Sequence, residues 1–197
     1  MTLKFDNLTI SGGIAVGTST LANNLKTYLK PYSWTFFSGG EFMRDYAIKK
    51  GLFPKDNRQH HNANVYSDEF DKQIDYGMRE RLQKEKHIVL EAWLSGFFAK
   101  DLKNTLKVLL VCSNEALRID RVANRDQVSI SEAKNLIKER VESNFKKWER
   151  LYGVSDFFDP KYYDLILDTY SSGQMETAGK VLDALGYDNG KIVINKK

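Results

Sequence analysis

The stretch "LTISGGIAVGTSTLANNL", residues 8–25, decides the fold. An apolar run from Leu8 to Ser11 stops at Gly12 and Gly13. Gly17, Thr18, Ser19 and Thr20 then lead into the helix-like "LANNLKTYL" (21–29). Strand, glycine turn and helix, in that order, form the layout of a phosphate-binding loop. Such a turn offers backbone N–H groups to the anion, assisted by the positive end of the helix dipole. Glycine is needed where the backbone turns tightly and the anion comes close. The pattern G-x-x-x-x-G-K-[ST] asks for lysine at position 18, where this chain has Thr18, and it keeps the following hydroxyl as Ser19. The residues assigned to phosphate are Gly12, Gly13, Ile14, Ala15, Val16, Gly17, Thr18, Ser19 and Thr20. A glycine turn between strand and helix also occurs without any ligand.

Around this loop, further apolar runs read as strands: "TFFS" (35–38), "HIVLEAWL" (87–94), "LKVLLVCS" (106–113) and "YDLILDT" (163–169). Helix-like stretches lie between them, at about 19–30, 41–50, 66–86, 114–124, 131–152 and 174–185. Short apolar strands alternating with helices predict an α/β fold with a mostly parallel sheet covered on both faces. Ligands of such sheets bind beyond the carboxyl ends of the strands, so chemistry is expected just after each one.

With 197 residues the chain is one domain's worth, and 42% hydrophobic with 28% charged residues excludes a disordered chain. The opening "MTLKFDNLTISGG" lacks the layout of a signal peptide, and no apolar run approaches the roughly 18 residues of a membrane helix. A lone Cys112 inside an apolar run excludes an intramolecular disulfide framework and suits a reducing cytoplasm. A cytoplasmic protein without membrane contact is expected. The net charge of +4 is mild, and basic residues between Arg118 and Arg150 alternate with acidic ones. That pattern fits a pocket for small polyanions better than the dense basic patch of a nucleic-acid surface. No long apolar surface stripe demands a partner, so a monomer is the expectation. His60 and His61, in the polar connection 49–64, read as solvated loop residues rather than metal ligands.

The strand ends supply the candidate site. After the second strand, "SGGEFMRD" (38–45) places Ser38 and Gly39 in a turn and Arg44 one helical turn further on, where it either reaches back to a monophosphate or is a surface arginine. In the next helix Asp68, Asp71 and Asp75 share a face. They either receive a nucleobase amino group or pair with cations such as Lys72 and Arg79. Glu91 closes the very apolar third strand, where an acid holds Mg²⁺ or its waters opposite the loop hydroxyl, or else makes a structural ion pair. Arg118, Arg121 and Arg125 fall on one side of one helix, and Arg140 and Lys147 on one side of another, which "SISEA" (129–133) opens with a capping signal. Two such helices would form a basic lid that closes on phosphates and excludes water.

Taken together, "TISGGIAVGTSTLANNL", "FFSGGEFMRDYA", "DEFDKQID", "IVLEAWLSG", "RIDRVANRD" and "ERVESNFKKWERLYGVS…YYDLILDT" resemble the cytidylate kinase-like nucleoside monophosphate kinases, closest to the short archaeal type, over nearly the whole chain to about residue 185. The resemblance implies a P-loop NTPase three-layer α/β/α fold with a parallel five-stranded sheet, a helical monophosphate-binding region at about 38–86 and a helical lid at about 118–153. The tail 186–197 receives no role. It implies ATP-dependent phosphorylation of CMP or dCMP with Mg²⁺, the metal held by Ser19 and Glu91. Ser38, Gly39 and Arg44 would contact the acceptor phosphate, Asp71 and Asp75 the acceptor base, and Arg125, Arg140, Lys147 and Glu91 would carry catalysis. Two departures remove positive charge: Thr18 stands for the loop lysine, and Trp93, in "EAW", stands where the family has an arginine. Trp93 could instead stack a base in a changed pocket. The departures leave two alternatives, a nucleotide-binding sensor or scaffold without turnover, and a phosphotransferase for another small acceptor.

Overall fold

A computed structural model of the chain describes residues 3–52 and 65–187. The two loop histidines and the tail from residue 188 onward lie outside the described residues. The five expected strands form, as β1 (Asn7–Gly12), β2 (Thr35–Ser38), β3 (Ile88–Glu91), β4 (Thr105–Val111) and β5 (Leu165–Asp168). They make one sheet in the order β2-β3-β1-β4-β5, with every pairing parallel. The chain crosses from β1 to the edge strand β2, returns through β3, then passes β1 to β4. That reversal opens a crevice at the carboxyl ends of the central strands.

The helices are α1 (Thr18–Leu29), α2 (Gly39–Lys49), α3 (Asp68–Lys84), α4 (Ser95–Phe98), α5 (Glu115–Asp126), α6 (Ile130–Tyr152) and α7 (Gln174–Leu185). Buried Leu21, Leu25 and Leu29 of α1 and Val181, Leu182 and Leu185 of α7 pack on Leu8, Ile10, Val108 and Leu110 of the sheet. The opposite face receives Met78 and Leu82 of α3, and α4 runs against β1 and β4. The result is three layers with the sheet in the middle. Strand β1 shows why the centre tolerates polar residues. All six of its residues are buried, and the odd-numbered ones are polar. Asn7 Nδ2 donates to Leu82 O and Glu85 O, its Oδ1 accepts from Ile88 N, and Ser11 Oγ accepts from Gly96 N. Such bonds keep Asn7 and Ser11 in the interior, whereas the buried Thr9 hydroxyl has no hydrogen-bond partner among the described residues. No helix among the described residues is long and apolar enough to cross a membrane.

The run "HIVLEAWL" corrects the sequence reading. Strand β3 stops at Glu91, because Ser95 Oγ bonds Ala92 O and Ile10 O and turns the chain into α4. The capping signal at Ser129 is a full capping box with Glu132, as read.

A Cβ on Gly12 would lie 2.6 Å from Val16 Cγ2 and 2.7 Å from the backbone oxygen of Leu110, whereas one on Gly77 meets nothing within 4 Å. Gly12→Ala is expected to destabilise the protein by about 1–3 kcal/mol. Gly77→Ala, in the middle of α3, should be neutral or stabilising by up to about 1 kcal/mol. Urea unfolding of both variants beside wild type checks the pair.

Candidate active site

At the carboxyl ends of β1, β2 and β3 lies a cavity of about 650 Å³, of the size that holds small-molecule ligands. Its floor is the glycine turn. Ala15 and Gly17 have left-handed backbone, with φ of 58° and 97°. Three carbonyls of the turn are taken: Arg118 Nε donates to Ile14 O (3.2 Å), Arg121 to Ala15 O (3.0 Å), and Thr169 Oγ1 to Val16 O (2.9 Å). Arg121 also donates to Thr169 Oγ1 and Thr169 O. Because each peptide is planar, this clamp fixes the orientation of the turn's N–H groups as well as its carbonyls. Gly13, Ile14, Ala15, Gly17, Thr18, Ser19 and Thr20 line it, while Gly12 and Val16 lie buried beneath. Helix α1 opens with no side-chain cap, which leaves its first N–H groups for an anion. Of the three arginines expected to share a basic face, two therefore brace the turn.

Glu91 is 9% exposed and accepts three hydroxyls. Thr18 Oγ1 donates to Oε1 at 2.7 Å, Ser19 Oγ to the same oxygen at 3.3 Å, and Ser38 Oγ to Oε2 at 2.6 Å. Sheet register produces this meeting, since Glu91 sits beside Ser38 of β2 and Ile10 of β1. The ion-pair alternative for Glu91 is thus replaced by a hydroxyl cluster. Thr18, which stands for the expected lysine, belongs to it.

The other half of the cavity is lined by Gly39 and Arg44 of α2, Tyr66, Asp71 and Asp75 of α3, Trp93, and Arg140, Asn144 and Trp148 of α6. The three carboxylates on α3 are offset by α6, not by Lys72 or Arg79. Asp68 pairs with Arg150, Asp71 with Lys147 Nζ at 2.7 Å, and Asp75 accepts from Tyr152 Oη at 2.6 Å. Arg79 instead donates to Phe98 O and pairs with Asp101. Lys147 is 4% exposed, also donates to Tyr66 O, and does not line the cavity. This corrects the expectation of a lid cation there, because seven-residue spacing from Arg140 does not carry Lys147 to the cavity face. The cavity-facing stripe of α6 is Arg140, Asn144 and Trp148, four residues apart, and that spacing was the signal that could have found Asn144 and Trp148. Arg125 lines the cavity while bonding Asp126 through both Nε and NH2 at 2.8 Å.

The electrostatics follow from burial. Loss of solvent holds Asp75 up at about 7 against the Tyr152 bond, and raises Asp71 against its Lys147 pair. Arg140 is lowered to about 10, first by burial and then by the positive charges of Arg125 and Arg44. Three guanidiniums close enough to feel one another face one space, which suits a multiply charged anion.

Comparison with known proteins fits this geometry. Residues 7–171 match the model of the cytidylate kinase-like family. A cytidylate kinase from Sulfurisphaera tokodaii is 31% identical over 177 residues, covering 90% of this chain and 93% of that one. One from Pyrococcus abyssi is 34% identical over 164 residues, 82% and 83% of the two chains. The chain belongs to the cytidylate kinase-like family. A solved gluconokinase from Sinorhizobium meliloti shares the fold over the full length of both chains at 12% identity, with a TM-score of 0.58. The architecture is that of the P-loop kinases, three layers around a parallel five-stranded sheet.

Asp75 keeps its proton in the folded protein up to about pH 7, whereas the unfolded chain releases it near its ordinary value of 3.8. Folding therefore takes up a proton between those limits, and this group's contribution falls as pH rises through the window and is level above it. Asp75→Asn should remove that part of the pH dependence. Denaturant unfolding at pH 5 and pH 8 is the check: wild type should lose more stability between the two than the variant does.

Proposed function

We propose that the protein transfers the γ-phosphoryl group of ATP to a nucleoside monophosphate, CMP or dCMP. The observation that carries this reading is the Glu91 cluster. One buried carboxylate joins the glycine turn through Thr18 and Ser19 to the β2–α2 turn through Ser38, which supports donor and acceptor phosphates that meet beside it. The glycine turn would hold the donor phosphates, and Ser38, Gly39 and Arg44 the acceptor phosphate. Asp71, Asp75 and Asn144 lie where the acceptor base would sit. An acceptor phosphate oxygen would attack the γ-phosphorus in line, and ADP would leave with the electrons of the broken bond.

Such transfer is positioning and charge stabilisation, with little covalent work for the protein. Here the positive charge would come from Arg125, Arg140 and Arg44 in place of the loop lysine and the arginine replaced by Trp93. Lys147 would act indirectly, by fixing Asp71 and tying α6 to α3. The Ser19 hydroxyl and the Glu91 carboxylate are hard oxygen donors of the kind that suit Mg²⁺ and would hold it. When bound, Mg²⁺ would neutralise the β- and γ-phosphate oxygens.

The lost lysine supports a second reading, a family member that binds nucleotide without turnover, because the Thr18 hydroxyl that replaces it is already spent on Glu91. Steady-state assays with ATP, Mg²⁺ and each common monophosphate separate the two. Wild type should form a diphosphate product, most efficiently from CMP or dCMP. Glu91→Gln should lower kcat by about a hundred- to a thousandfold, the cost of losing one preorganised electrostatic group. Thr18→Lys should add no activity, since its ammonium would pair with Glu91. Binding without product in wild type supports the second reading, and product only from Thr18→Lys identifies Thr18 as the inactivating change. A product from some other acceptor alone would move the activity to a different small substrate.

A further inference from the structure

Trp93 departs from the family pattern, and its surroundings give it a task. The Arg140 guanidinium lies over the Trp93 ring, 5.3 Å from the centroid. The ring is itself fixed, edge-on to Trp148 at 5.3 Å between centroids and tilted against Phe158 at 6.5 Å. Its backbone is anchored two residues beyond Glu91, where the chain turns from β3 into α4. The Arg140 Nε is buried and has no hydrogen-bond partner among the described residues. A long, flexible cation is thus pinned by a π face at the cavity wall. With its Nε edge buried, the guanidinium meets the cavity through its remaining N–H groups, and a cation held there by a ring face suits an anionic oxygen.

We propose that Trp93 is a positioning residue that sets the Arg140 guanidinium against a phosphoryl group in the cavity, so that positive charge reaches that group through a second residue. The identity of the anion, a phosphate ester of a nucleotide, rests on the phosphotransferase reading; the contact itself does not. Trp93 need not touch the substrate. Its effect passes through Arg140, and this separates positioning from simple packing.

A double-mutant cycle tests it, with affinity measured by calorimetry for two probes, CMP and inorganic tripolyphosphate. Trp93→Leu should weaken binding of the phosphate-bearing probe by about two- to thirtyfold, the range of a cation–π contact. Trp93→Tyr, which keeps a ring face, should restore most of it. In an Arg140→Gln background, Trp93→Leu should have almost no further effect. Independent losses in the double variant, or an unchanged Trp93→Leu, would overturn the proposal. Coupling seen with tripolyphosphate while CMP neither binds nor reacts would keep it and sink the CMP reading. CMP turnover with additive losses would do the reverse, and failure of wild type to bind either probe would defeat both. Trp93→Tyr also guards against a folding defect in the leucine variant.

Discussion

A carboxylate buried at the end of a central strand is the constraint on which this site depends. Glu91 closes β3 in the middle of an apolar sheet, where an ionised group without partners would be costly. Its partners are hydroxyls delivered by two separate turns, and parallel register brings those turns to it. The same bonds fix the start of α1 against the start of α2. In the proposed reaction these are the two phosphate sites, so one buried charge sets the spacing between donor and acceptor.

The second constraint is how α6 crosses α3. Asp68, Asp71 and Asp75 each meet a partner on α6, and these contacts place Arg140, Asn144 and Trp148 over the cavity. The exposed pair of Asp68 and Arg150 adds little, since water and salt screen it. The inner pair, Asp71 with Lys147, is different, because removing one partner would strand the other in a buried place. Asp75, held near neutrality by burial, sits beside them as a group whose charge changes in the physiological range.

Much of this was legible in the sequence. All five strands were read from their apolar runs, and the glycine turn, Ser38, Arg44 and Glu91, singled out because ligands of parallel sheets bind after strand ends, line one cavity. The errors share a physical cause. Strand β3 was drawn too long because an apolar run reads alike in a strand and in the buried turn that follows, and the single turn of α4 is too short to show a period. Lys147 was placed on the cavity side because helical spacing relates residues within α6 but does not say which face α3 will cover. The pairs between α3 and α6 join residues 76 to 82 positions apart, and nothing local announces them. The clamp of Arg118, Arg121 and Thr169 on the glycine turn is long-range in the same way.

Whether this arrangement transfers a phosphoryl group without the loop lysine is the central claim. The direct measurement is label transfer: the protein is incubated with ATP labelled at the γ-phosphate, Mg²⁺ and CMP, and the products are separated. Label recovered in CDP, in step with ADP formed, is the result predicted here. Label that stays in ATP, or appears only as inorganic phosphate, would contradict it.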